Sequence, residues 1–157
     1  MERYAVLIQE ANKHYHNADH MVYMTYPLVN DPKLIIAIAE NLYKALMNAV
    51  DAVIEYEYTY KRIDRLPTTF EEKIEELKEI SRTYNFERNI ILILKELKAL
   101  IDFRQKSPIE FIRKSNFVIC DKNYSTRMIN LKKMKENIIE VKHFITKANG
   151  VLRENGL

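Results

Sequence analysis

Apolar residues recur every three or four positions through most of the chain, and five stretches hold that period long enough to predict amphipathic helices. The first runs from about Glu2 to Thr25, with Tyr4, Leu7, Ala11, Tyr15, Ala18 and Val22 on one side. Tyr26-Pro27 ends it, because proline disfavours a helical conformation in the residue before it. Asp31 then caps, and Pro32 opens, a long second helix to about Ile63 built on Ile35, Ile38, Leu42, Ala45, Ala49, Val53, Tyr56 and Tyr60. Ala45, Ala49 and Ala52 are small enough to let a neighbouring helix approach closely. Thr68 and Thr69, with Glu71 and Glu72 three residues after each, form a capping box for a third helix that buries Phe70, Ile74 and Leu77 and ends near Tyr84. Asn85 caps a fourth, whose run Ile90, Ile91, Leu92, Ile93, Leu94, Leu97 and Leu100 covers more than one face and marks it as the central helix.

The pattern changes after Arg104. Ser107-Pro108-Ile109-Glu110 has the capping and first-turn residues of a short helix. Beyond it, β-branched and aromatic residues flank Asp121-Lys122-Asn123, which reads as a small hairpin or an irregular loop. The last helix spans about Asn130 to Asn149 on Leu131, Met134, Ile138, Val141, Ile145 and Ala148, with Asn149-Gly150 as its stop. Short connections make consecutive helices antiparallel neighbours. The expected fold is therefore all-α: one domain over residues 1–157, an up-and-down antiparallel bundle of four to five main helices, with the short helix and a possible β-hairpin before the last.

Composition narrows the setting. The 157 residues are 47% hydrophobic and 30% charged, a globular balance, and no apolar run approaches the roughly 20 residues that span a bilayer. No membrane association is expected. The opening MERYAVLIQE enters an amphipathic pattern directly, unlike a signal peptide. Cys120 is the single cysteine, so no intramolecular disulfide forms and a cytoplasmic protein is expected. With no histidine near it in sequence, Cys120 reads as a buried thiol rather than a nucleophile. Two glycines alongside abundant Ile, Lys and Glu suit a thermophile.

Four groups of residues invite a chemical reading. In KHYHNADH, His16 and His20 stand one helical turn apart and could share a metal, with Asp19 or Glu10 as the nearest further ligands. At roughly 100° per residue they fall almost opposite the core stripe, as His143 does on the last helix, while His14 sits at the stripe's edge. One bundle cannot bring His16, His20 and His143 together, so no metal is assigned. Ala5, Val6, Tyr23 and Met24 bracket the histidines, and this second apolar strip predicts a homodimer through the first helix.

The second group is basic. From Arg104 to Lys135 the chain carries +7, leaving −4 elsewhere for a net +3. Arg104, Lys106, Arg113, Lys114, Lys122, Arg127, Lys132, Lys133 and Lys135 could gather phosphates, with Phe117 and Tyr124 for stacking; the alternative is a surface that lysines keep soluble. Asn48, Asp51 and Glu55 form a polar line on the second helix, near the Glu40–Lys44 pair, and read as a solvated face rather than an acid–base site. In YEYTYKR, Tyr56 and Tyr60 share a core-facing side and Tyr58 points away. Phosphate loops, dinucleotide fingerprints, serine elbows and cysteine clusters are absent from the sequence.

The run ENLYKALMNAVDAVIEYE, on a long second helix of a small bundle, resembles the HEPN superfamily of often nucleic-acid-associated helical bundles, and small uncharacterised archaeal helical proteins. Catalytic ribonucleases of that superfamily place a histidine four to six residues after an arginine. No arginine here stands at that distance before any of the four histidines, so no catalytic residue carries over. The expectation is a binding or assembly protein without a cofactor, partnered by nucleic acid or protein. A nuclease with a different site and a metal-binding bundle are the alternatives from other classes.

Overall fold

The structure is a computed structural model that describes residues 1–106, 109–113, 116–120, 123 and 125–155, with the backbone only at Ile109, Phe111, Glu154 and Asn155. It is mostly helical, with one small antiparallel sheet. Helix α1 spans Arg3–His20 and continues through a wide π turn, Met21–Thr25, into the short α2, Tyr26–Val29. Proline does not end the helix here. Pro27 has no N–H to donate, and its ring would crowd the Tyr23 carbonyl in a regular turn; widening the turn, with Tyr26 N–H bonded to Met21 O, relieves both problems. The break comes at Asn30, whose left-handed backbone (φ 52°) closes α2.

Helix α3, Leu34–Thr59, starts after a turn in which the Asp31 carboxylate accepts the Lys33 N–H at 3.0 Å. It stops before Ile63. Lys61 takes a left-handed conformation (φ 60°) and Arg62 N–H bonds back to Glu57 O at 2.9 Å, so Tyr60 lies past the helical face and is 42% exposed rather than core. The rest of the stripe, from Ile35 through Tyr56, is fully buried. α3 packs against α1, α4, α5 and α6, and it is the central helix. Its buried Ala39, Ala45 and Ala49 complement Ala11 and Ala18 of α1, which permits close packing of the two helices.

Helix α4, Phe70–Tyr84, is capped reciprocally: the Thr69 hydroxyl accepts Glu72 N–H at 3.1 Å, and the Glu72 carboxylate accepts Thr68 N–H at 2.9 Å. Asn85 closes α4 in the left-handed region rather than opening α5, which starts at Asn89 and runs to Gln105. α5 buries Ile90, Ile93, Leu94, Leu97 and Leu100 but leaves Leu92 exposed, so it lies at the side of the core.

Strands β1 (Ile109–Arg113), β2 (Asn116–Cys120) and β3 (Thr126–Ile129) form an antiparallel meander with β2 central. Ile109 and Glu110 belong to a strand, not to a short helix; Ser107, Pro108, Asp121 and Lys122 lie outside the described residues. Pairing Glu110 with Ile119 and Phe117 with Ile129 fixes the register. Alternation then sends Phe117, Ile119 and Ile129 into the helical core, a burial that two helical turns would not provide. Helix α6, Leu131–Asn155, begins where the Asn130 side chain accepts Lys133 N–H at 2.9 Å. It passes straight through Gly150, because Ala148 and Leu152 continue its buried stripe. Among the described residues no helix is long and apolar enough to cross a membrane.

Candidate functional site

The outer side of α1 holds the histidines. His16 and His20 are exposed there, as are Val6, Tyr23 and Met24, while Tyr4, Leu7, Ala11, Tyr15 and Ala18 face inward. Ala5 belongs to the inner side: it is only 8% exposed, because buried Ile8, one turn on, widens the core face past the predicted stripe. The π turn rotates the residues after it, and the apolar strip continues beyond its predicted end. Leu28, at 85% exposed, and Val29 extend it across Pro27. His14 sits at the edge, its Nε2 3.9 Å from the Glu10 carboxylate. His143 is instead on α6 beside Glu140 and Lys147, and among the described residues no three His, Cys, Asp or Glu side chains gather as a metal site.

The basic segment does not converge on one open face. Arg104 bridges Glu40 at 3.0 Å and Glu110 at 2.8 Å, tying α5 to α3 and to β1; Glu40 thus serves Arg104 rather than Lys44. The Arg127 guanidinium stacks over the Phe103 ring at 5.2 Å, and Lys135 lies 5.7 Å from the centre of the Tyr23 ring. Lys133 reaches Glu96 at 4.0 Å. Lys106, Arg113 and Lys132 are exposed, with no ion pair among the described residues; Lys114, Lys122 and Tyr124 lie outside them. Phe117 is buried in the core and cannot stack on a base. Cys120 is buried too. The polar line of α3 is drawn into ion pairs between elements, with Asp51 2.9 Å from Lys73 and Glu55 3.1 Å from Arg3.

A polar cluster that the sequence pattern does not announce closes the far end of α3. Glu57 is 6% exposed. Its carboxylate accepts the Tyr84 hydroxyl at 2.5 Å and Arg62 Nη1 at 3.3 Å, and Arg62 donates also to the Tyr84 oxygen at 3.2 Å. The guanidinium lies over the rings of Tyr56 and Tyr60, 5.5 and 5.6 Å from their centres, and Tyr4 of α1 packs on Tyr56 at 5.4 Å. The Glu57 carboxylate thus ties the end of α3 to α4, and the Tyr4–Tyr56 contact brings α1 against the same cluster. Burial first, and then the Glu57 hydrogen bond, push the Tyr84 phenol up to about 12.

Comparison with family models, curated proteins and solved structures gives no match. The chemistry of the cluster is that of a clasp. Glu57 is ion-paired with Arg62 and hydrogen-bonded by Tyr84, Tyr84 holds its proton, and Arg62 is spent on both. Glu57 escapes a sequence reading because its partners stand five and 27 residues away; its one local signal is a carboxylate between two tyrosines on the buried side of a helix.

Proposed function

We propose that this protein is a non-enzymatic binding and assembly module, an up-and-down antiparallel helical bundle that pairs with a second copy of itself along α1. The observation that supports it best is the exposed strip that starts at Val6 of α1, whose inner face is already filled by the core, and continues with Tyr23 and Met24 of the π turn and Leu28 and Val29 of α2. At about 1.5 Å per residue, the 18 residues of α1 span about 27 Å, long enough for an isologous helix pair in which each strip covers the other. Apolar side chains at its two ends with polar and histidine side chains between suit an interface more than a solvated face.

Nucleic acid is the second reading, favoured by Lys106, Arg113 and Lys132, exposed and without an ion pair among the described residues; the HEPN-like texture of α3 is compatible with either partner. Sedimentation or light scattering of the whole protein tests the first. A dimer is expected, and Met24→Glu combined with Leu28→Glu should convert it to a monomer with unchanged helicity. A wild-type monomer at the highest soluble concentration rejects the α1 pairing. Retardation of RNA or DNA that weakens steeply with salt would move the second reading to first place.

A further inference from the structure

Between α4 and α5 lies an open groove of about 600 Å³ whose charged lining is entirely cationic: Lys78 and Arg82 from α4, Arg88 just before α5, and Lys95 from α5. Phe86, Ile91 and Leu92 form its apolar wall, and Leu92 is among the most exposed large apolar side chains of the regular helices. Volume and lining fall in the range of small-molecule sites, which combine an apolar body with a few convergent charges.

The cations are available. Lys78 is held by Glu75 at 2.9 Å and Arg82 by Glu79 at 3.0 Å, both three-residue pairs on an open helix surface that exchange readily for a better partner. Arg88 and Lys95 have no ion pair among the described residues. Lys78 and then Lys95 hold the Glu75 carboxyl low. Ser81 also lines the groove, and its hydroxyl oxygen is buried with no hydrogen-bond partner among the described residues.

We propose that this groove binds a small organic diphosphate. Two guanidiniums present the forked donors that grip phosphate oxygens, and four cations, a net +2 with Glu75 and Glu79 counted, match a ligand of two or three negative charges better than a single carboxylate. The apolar wall takes the ester's organic part. A polynucleotide fits less well, because its track would meet the acidic groove along the first half of α4, lined by Asp64, Glu71, Glu72, Glu75 and Glu76.

Titration calorimetry of the whole protein with inorganic pyrophosphate, ADP and geranyl diphosphate tests this. ADP or geranyl diphosphate should bind saturably, identifying an aromatic or an aliphatic body, and pyrophosphate about tenfold or more weaker. Arg88→Ala and Lys95→Ala, on exposed positions, should each weaken the better ligand about tenfold or more, whereas Lys13→Ala on α1 should leave it unchanged. Absence of saturation by all three compounds at about 1 mM, equal affinity for pyrophosphate, indifference to Arg88 and Lys95, or tighter binding of a short oligonucleotide overturns the proposal. None of these outcomes depends on the oligomeric state.

Discussion

The two ends of the α1–α3 pair solve the same problem in opposite ways. Where α1 begins and α3 ends, Tyr4, Tyr56, Glu57, Arg62 and Tyr84 enclose one another in rings and hydrogen bonds. Where α1 ends and α3 begins, Met24, Leu28 and Val29 stand in the open. The clasped end joins three helices of one chain, whereas the open end has more apolar surface than its own chain covers. On the proposed pairing, stability and association fall to different ends, and substitutions should separate them.

The largest expected effect is at the clasp. Tyr56→Ala removes a fully buried ring from beneath Tyr4, Tyr60 and Arg62, and should cost about 3–5 kcal/mol, measured by urea denaturation. Tyr84→Phe comes next, at about 1–3 kcal/mol, since it leaves Glu57 buried with one hydrogen bond fewer. The same residue makes a pH signature. A phenol raised from 10.0 to about 12 on folding contributes stability that is fully present below pH 10 and is lost as pH climbs toward 12. Wild-type stability should fall across that window, and Tyr84→Phe should remove the Tyr84 share of the fall; an identical alkaline profile in the variant would show that Tyr84 is not so held. The smallest effect on stability belongs to the open end: Leu28→Ser should change unfolding free energy by no more than about 0.5 kcal/mol at concentrations where the chain is monomeric. A loss comparable to that of Tyr84→Phe would mean that Leu28 is covered by its own chain.

Features set within one or two turns are legible in the sequence. The α1 stripe is buried residue for residue, and Asp31, Thr69 and Asn130 each accept the hydrogen bond that starts a helix or the turn before it. Features decided at a distance or by an override are not. Ser107 to Glu110 carries the local marks of a helix start, yet from Ile109 the chain pairs with β2, whose Phe117 and Ile119 need the core; Lys114-Ser115 has none of the Asn-Gly character that announces a hairpin. Pro27 and Gly150 have the local character of stops, but a π turn accommodates one and the packing of Leu152 outweighs the other. The site residues obey the same rule. His16, His20, Val6, Tyr23 and Met24 can be placed from one helix wheel, whereas the α4–α5 groove cannot, since Lys78, Arg82, Arg88 and Lys95 each look like solvated positions until two helices are set side by side.

Among the described residues every left-handed turn is made without glycine: Asn30, Lys61 and Asn85 occupy the three positive-φ positions. A side chain there costs the native state about 1 kcal/mol, most at Lys61, which lacks the local hydrogen bonding open to asparagine. The unfolded chain is affected in the opposite sense. Each glycine avoided narrows the range of conformations the denatured backbone can visit, so folding forfeits less entropy at these joints. Part of this protein's stability therefore resides in the stiffness of the chain before any helix has met another.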